Sequence, residues 1–557
     1  MRQTQIGPAN TCTAQVADAS PKNAERAWGF VMRLAALVLL VAVVAGCAAP
    51  APAPVPQPGT LATLGGAVNQ QATVAPQDRQ GNELSIAVDP TDARNVVVTA
   101  KDYTKAYAGQ CVWDGIYVSH DGGATWADSN LPGSPWKVQA DIQAGQQPSV
   151  DQQLSKFYCA TDPVVRFGPD GTLYWATMPY QCDPVSGSAT GANIGGSGMS
   201  IPPGGFNDWF WSCSSMYVLA SRDKGDSWST ITQVAFGPRL ENDKMWLGVS
   251  PANKVVLCWD QDAWASGAVR DDYNALTQDT PQAPSYPDPL YVADEPVPTA
   301  TVCATSDDHA ATWTAPTVAN KAAAIPAVAF TPNGVAHMAA LAGGRIIYLH
   351  STDGLQWSEP VAIGNYTDPV NALMNGFTSL NGSVFRAFAL PSIAADPADP
   401  AGSLYVTWMD AASGMGRTVF VASHDGGRTW SKQAWIHDVV QGGDADQRGD
   451  QFMPAISVGP DGTVDLSWSD RRWDPKNHLF DLAYAYSTDG GASFSPVLRV
   501  STQSSDEQYS HHQNGAIFLG DYRDSASSRG AAHVPWVDTR NHKADVFTAS
   551  ILRPSAR

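Results

Sequence analysis

One octet recurs six times along the chain and limits the fold more than any other feature. SHDGGATW at 119–126 returns as SRDKGDSW at 221–228, SHDGGRTW at 423–430 and STDGGASF at 487–494. Looser copies read SDDHAATW at 306–313 and STDGLQW at 351–357. The shared pattern is Ser-x-Asp-x-Gly-x-x-Trp, and its physics is local. The carboxylate accepts backbone N–H groups within a tight turn, glycine supplies a positive φ, and the aromatic ring packs back between hairpin strands. The residues expected to do this are Asp121 and Trp126, Asp223 and Trp228, Asp308 and Trp313, Asp425 and Trp430, and Asp489 and Phe494.

Two apolar runs precede each octet in a fixed order. A short strand ends in a turn, as in SIAVDP (85–90), PVVRFGPDG (163–171) and PAISVGPDG (454–462). A second follows, as in NVVVTAKD (95–102), SLYVTWMD (403–410) and TVDLSWSD (463–470), and a third enters the octet. A last set, GAIFLGDY (515–522), AAHVPWVD (531–538) and ADVFTASI (544–551), has no octet after it. Short strands at regular spacing between Gly, Pro and Asp turns mean an all-β chain, and repeated four-stranded units mean a β-propeller. Seven blades are expected, with 67–75 supplying the outer strand that closes the last one. The weak fourth repeat leaves six blades as the alternative. Length alone suggests three or four domains, but the repeat replaces that with one ring over 60–557.

Residues 1–59 read as an address. Met32-Arg33 is followed by thirteen residues, LAALVLLVAVVAG, and then Cys47. The run is too short to cross a bilayer, and with small residues before the cut it describes a signal peptide over 1–46, with Met32 as an alternative start. VAGC at 44–47 resembles a bacterial lipobox, which makes Cys47 the expected lipidation site and 47–59 a Pro/Ala tether. The protein is therefore expected to be exported and lipid-anchored, facing outward. The net charge of −19 becomes −21 once the four basic and two acidic residues before Cys47 are removed. That charge argues against nucleic acid and anionic membrane surfaces as partners. Export permits disulfides, and Cys258 with Cys303, in neighbouring strands, is the best single pair. No cysteine spacing suggests zinc.

The octets together with the propeller pattern resemble the sialidase-like superfamily of Asp-box, or BNR-repeat, propellers, over roughly 80–551. The resemblance implies fold and leaves function open, because the superfamily holds exo-sialidases, other glycosidases and propellers that do no chemistry. Its sialidases carry a Phe/Tyr-Arg-Ile-Pro motif in the first blade, where this chain reads NELSIAVDP.

In a propeller the loops after second strands and before first strands ring one face, the funnel, and the octet turns lie on the other. That places Asp102, Asp162, Asp243 and Asp470 at the funnel as candidate acid/base groups. Arg448, Arg471, Arg472 and Arg540, with Asp538, are candidate ligand-binding residues, since arginine suits bidentate anion recognition. SDRRWD (469–474) and VDTR (537–540) can equally be Asp–Arg pairs that tie blades together. Asp444, Asp446 and Asp450 lie close together without EF-hand spacing, so they read as a solvated acidic loop or a structural calcium site. No cofactor is required. Two functions follow: a monomeric surface propeller that binds glycan or protein, or an exo-sialidase-like glycoside hydrolase acting on extracellular glycans.

Overall fold

A computed structural model describes residues 69–71, 80–104, 111–134, parts of 137–180, 214–237, 240–263, 300–372, 378–441, 448–513 and 516–553. Cys47, the tether, Asp444, Asp446, Cys182 and Cys213 lie outside the described residues.

The strands pair into seven four-stranded antiparallel sheets. Blade 1 runs Gly81–Val88, Val96–Asp102, Trp113–Ser119 and Ala127–Asn130. Blade 2 spans Cys159–Phe167 to Thr230–Gly237, blade 3 Leu240–Val249 to Thr317–Asn320, and blade 4 Ala324–Phe330 to Val361–Asn365. Blade 5 spans Ser392–Ala395 to Ala434–Trp435, and blade 6 Gln451–Val458 to Leu498–Arg499. The first strand of each blade touches the first strand of the next, and Ala526–Ser528 of the last touches Gly81–Val88 of the first. The chain is thus an all-β, seven-bladed propeller. The fourth repeat, the weakest in sequence, is a full sheet of its own, which removes the six-bladed alternative.

Blade 7 closes the ring with strands from both ends of the described chain. Its order is Ala526–Ser528, Ala531–Asp538, Asp545–Leu552 and Asn69–Gln71, the last paired with Asp545–Leu552. The first strand is not the expected 515–522. Within that stretch Ala516–Phe518 pairs with His511–Gln513 in a separate hairpin, and the chain then crosses the ring axis before it enters the blade.

Packing explains why the strands read as apolar runs rather than alternating ones. Neighbouring blades cover the sheet faces, so the second and third strands of blades 1 and 5 are buried along their whole length. The core is divided among blade interfaces: one cluster joins Val97 and Ile116 to Trp175 and Leu219, another joins Tyr484 to Val534 and Trp536. Cys258 and Cys303 face each other across the second and third strands of blade 3 and form a disulfide. A second disulfide, Cys111–Cys159, joins blade 1 to the first strand of blade 2.

The Ser-x-Asp octets close on themselves. In the first, Ser119 Oγ donates to Asp121 Oδ1 (2.8 Å) and accepts from Gly123 N (2.8 Å), while Thr125 N donates to Asp121 Oδ1 (2.8 Å). The same bonds form around Asp223, Asp308, Asp425 and Asp489, and a shorter version around Asp353. Two of the aromatic residues reach the neighbouring blade: Trp430 meets Tyr348 of blade 4 at 5.1 Å, and Phe494 meets Phe420 of blade 5 at 5.1 Å, whereas Trp228 meets Trp175 of its own blade at 5.3 Å. Glycine is needed for space as well as for φ. At Gly427 (φ 83°) a Cβ would lie 2.1 Å from the Tyr348 hydroxyl.

Candidate functional site

The site begins with a defect repeated around the axis. The first strands of blades 1, 2, 3, 4 and 6 shift register at one place, between Asn82 and Ser85, Thr161 and Val164, Asp243 and Trp246, Ala324 and Ala327, and Phe452 and Ala455. The first residue inside each shift, Glu83, Asp162, Lys244, Ile325 or Met453, has φ between 46° and 56°. Such a left-handed non-glycine residue costs about 1–2 kcal/mol. Pro163, Pro326 and Pro454 follow three of them; proline has no N–H to give a ladder and so belongs at a bulge. A bulge re-aims a side chain, and here five are aimed at the axis.

Three of the five are charged and meet. Lys244 Nζ lies 2.9 Å from Asp162 Oδ2, 3.3 Å from Asp243 Oδ1, 3.0 Å from Asp521 Oδ2 and 3.9 Å from Glu83 Oε1. Lys101 Nζ reaches Glu83 Oε2 at 3.5 Å. Arg386, from the segment between blades 4 and 5, binds Asp521 with two nitrogens, Nε donating to Oδ1 at 2.5 Å. Blades 1, 2 and 3, the crossing segment and the 378–391 stretch thus supply four carboxylates and three cations. The cluster is layered: the Asp243 side chain is 24% exposed and Lys244 11%, whereas Glu83 and Asp521 are fully covered. Tyr522 closes one side, its hydroxyl donating to Pro163 O at 3.4 Å.

The carboxylates are driven apart in acidity. Burial, then the Asp162 charge, pushes Glu83 up to about 8, against partial relief from Lys101 and Lys244. Burial also opposes ionisation of Asp162, but the Lys244 and Lys101 charges outweigh it and hold that carboxyl well below the usual range. Asp521 is likewise held low against burial, by Arg386 and Lys244. Asp243 is raised, by burial first. At neutral pH Glu83 is therefore a neutral acid beside ionised Asp162, and its Oε1 makes no hydrogen bond among the described residues.

The other half of the axis is apolar. Ile325 and Met453, in the bulge positions of blades 4 and 6, line a cavity of about 30 Å³ with Trp246, Phe388 and Leu390, and Lys244 and Asp521 form its charged wall.

The acids expected at the funnel divide into two groups. Asp162 and Asp243 enter the cluster. Asp102 and Asp470, at the ends of second strands, close local turns. Asp102 accepts from Thr104 N (2.8 Å) and Asn130 Nδ2 (3.3 Å). Asp470 accepts from Trp468 Nε1 (2.6 Å), Arg472 N (2.8 Å) and Arg472 Nε (2.8 Å). Asp538 repeats that arrangement with Trp536 Nε1 (2.8 Å), Arg540 N (2.9 Å) and Arg540 Nε (2.8 Å). Trp-x-Asp-x-Arg is thus a clasp within one blade, and it occupies both Arg472 and Arg540.

Arg471 is wholly buried. It donates to Glu507 and to Ser383 Oγ (2.6 Å) and lies beside the Phe385 and Phe452 rings, which removes it from the protein surface. Asp450 is buried too, accepting from Gly416 N (2.9 Å) and Asn477 Nδ2 (2.6 Å). Arg448 is exposed. These arginines do not converge. Among the described residues no group of three or more His, Cys, Asp or Glu is arranged to hold a metal ion.

Sequence reasoning missed Glu83, Lys101, Lys244, Arg386, Asp521 and Tyr522. Glu83 and Lys244 were within reach: aligning first strands by the repeat puts Glu83, Asp162 and Lys244 in the slot that holds Ile325 and Met453 elsewhere. Asp521 and Arg386 lie outside the repeat and carry no such signal.

No family model matches this chain, and no curated protein does. Solved structures similar to it include the Hadza microbial sialidase Hz136, 12% identical with a TM-score of 0.40, covering 79% of this chain and 73% of that one. The leech intramolecular trans-sialidase is 13% identical with a TM-score of 0.41, covering 76% and 70%. The GH93 alpha-L-arabinofuranosidase of Fusarium graminearum is 13% identical with a TM-score of 0.38, covering 87% and 98%.

Proposed function

We propose that this chain is an exported, lipid-anchored Asp-box propeller that binds a glycan through its funnel face, as a monomer and without a cofactor. The observation that carries the reading is the cluster around Lys244. Its four carboxylates and three cations nearly cancel, and with Glu83 protonated they cancel fully. A self-neutralised set of donors and acceptors beside an apolar wall suits a neutral, hydroxyl-rich ligand, since burying an unpaired ligand charge there is costly. Burial of Arg471 and occupation of Arg472 and Arg540 by aspartates count against an anionic sugar. The test is a glycan array and calorimetry on protein lacking 1–59. Neutral glycans should bind, and Asp243→Asn, at the most exposed carboxylate, should weaken binding at least about tenfold. No binding to any glycan overturns the reading in favour of a protein partner.

One observation favours a second reading, glycoside hydrolysis. Glu83 protonated beside Asp162 ionised is the split that an acid and its partner carboxylate need. A panel of chromogenic glycosides decides: turnover abolished by Glu83→Gln supports it, and no turnover with any member rejects it.

A further inference from the structure

The apolar half of the axis holds a cation whose charge is not paired. Arg523 follows Tyr522 in the crossing segment and is 5% exposed. Nη1 donates to Ser467 Oγ (2.8 Å) and Nη2 to Met453 O (2.8 Å), while Nε has no hydrogen-bond partner among the described residues. Both acceptors are neutral. The adjacent acids are already engaged: Asp521 by Arg386 and Lys244, and Asp524 by Arg166 Nη1 (2.6 Å) and Ser85 Oγ (2.9 Å). By contrast, Arg386, Arg471 and Arg553 each lie directly on a carboxylate.

Arg523 also lies between two small cavities. It lines the 30 Å³ cavity with Trp246, Phe388 and Met453, and a second of about 10 Å³ with Phe452, Phe480 and Trp536. Burial lowers its pKa to about 9, partly offset by Asp524, so it remains charged at neutral pH. A buried guanidinium with neutral partners is costly unless a counter-charge sits beside it.

We propose that a halide-sized inorganic anion binds in the axial cavity beside Arg523 and supplies that counter-charge. Size sets the class. A water-sized particle needs about 10–15 Å³ of such space, so the cavity of about 30 Å³ admits one or two. The weakly hydrated guanidinium suits a soft, monovalent ion better than a strongly hydrated one. The cavity shares its Lys244 and Asp521 wall with the cluster around Glu83, but the test reads the anion at Arg523 and does not depend on glycan binding.

Two measurements test it. Crystals grown in sodium bromide should show an anomalous peak within about 3.5 Å of an Arg523 nitrogen, the range of a charge-assisted contact widened for a larger ion. Thermal melts should show a saturable rise of about 1–3 °C with chloride at ten times half-saturation, relative to gluconate at matched ionic strength. Arg523→Met should lose that rise. No anomalous density at Arg523, meaning water alone, overturns the proposal, as does an equal response to gluconate or in Arg523→Met. If Arg523→Met does not fold, the bromide map on the unaltered protein decides alone.

Discussion

The two ends of the blades use aspartate in opposite ways. On the octet face each carboxylate is bonded to atoms within four residues and stands largely in solvent. Asp121 is pulled down to about 2, chiefly by the Thr125 hydroxyl and backbone N–H, with no charged partner needed. At the funnel axis the carboxylates come from residues as far apart as Glu83 and Asp521, are covered, and are controlled by shared cations. The octet turns are interchangeable copies. The axial residues occupy one repeated slot but differ from blade to blade, charged in blades 1 to 3 and apolar in 4 and 6. The scaffold repeats while its centre is individual, and such divergence at equivalent positions marks the site.

The largest expected effect tests that contrast. Lys244→Met leaves covered carboxylates without their shared cation, and it should destabilise the protein by about 3–5 kcal/mol. Urea unfolding would measure it. A loss below about 1 kcal/mol would mean that the cluster is as locally satisfied as an octet turn.

The octet face has its own test of comparable size. Gly427→Ala must displace the covered Tyr348 ring and also take a positive φ, costing about 2–4 kcal/mol. Its neighbour Gly426, with φ 74° and only Ala401 O near at 3.7 Å, should cost about 1 kcal/mol on the same change. Equal losses at the two positions would show that conformation alone, not close approach between blades, selects the glycine.

A smaller, pH-dependent effect separates the two faces further. Folded Glu83 keeps its proton up to about pH 8, against an ordinary value of 4.5. Between those values the folded state binds more protons than the unfolded one, so this residue makes stability fall as pH rises, by up to about 1.4 kcal/mol per unit. Asp162 and the octet aspartates, held low, act with the opposite sign: their contribution is present above the ordinary carboxylate range and fades in acid. Glu83→Gln should flatten the stability profile between about pH 5 and 8 and leave its acid limb unchanged. A profile unchanged across that window would place Glu83 among ordinary carboxylates.

These differences also decide what could be read in advance. The octets were legible because the hydrogen bonds of their Ser and Asp side chains that close the turn join residues at most four apart. The strands were legible because sheets covered on both faces demand apolar runs. Closure by 69–71 was foreseen from a missing fourth strand, whereas the first strand of blade 7 was misplaced. There an apolar stretch, 515–522, forms a hairpin and a crossing instead of a blade edge. Among the funnel acids, a strand-end position predicted the face but neither the burial nor the partners. Asp470 and Asp538 are taken by a tryptophan and an arginine two residues either side, a local pattern visible in retrospect.

By itself, then, the sequence determined the repeat, the turn chemistry and the all-β class, because those depend on near neighbours and on burial averaged over a strand, and it narrowed the blade count to seven or six. Tertiary structure alone decided which charges meet at the axis. Bulges turn single side chains out of five separate strands toward the axis, and whether a carboxyl there is an acid, an anion or a counter-ion depends on neighbours hundreds of residues away.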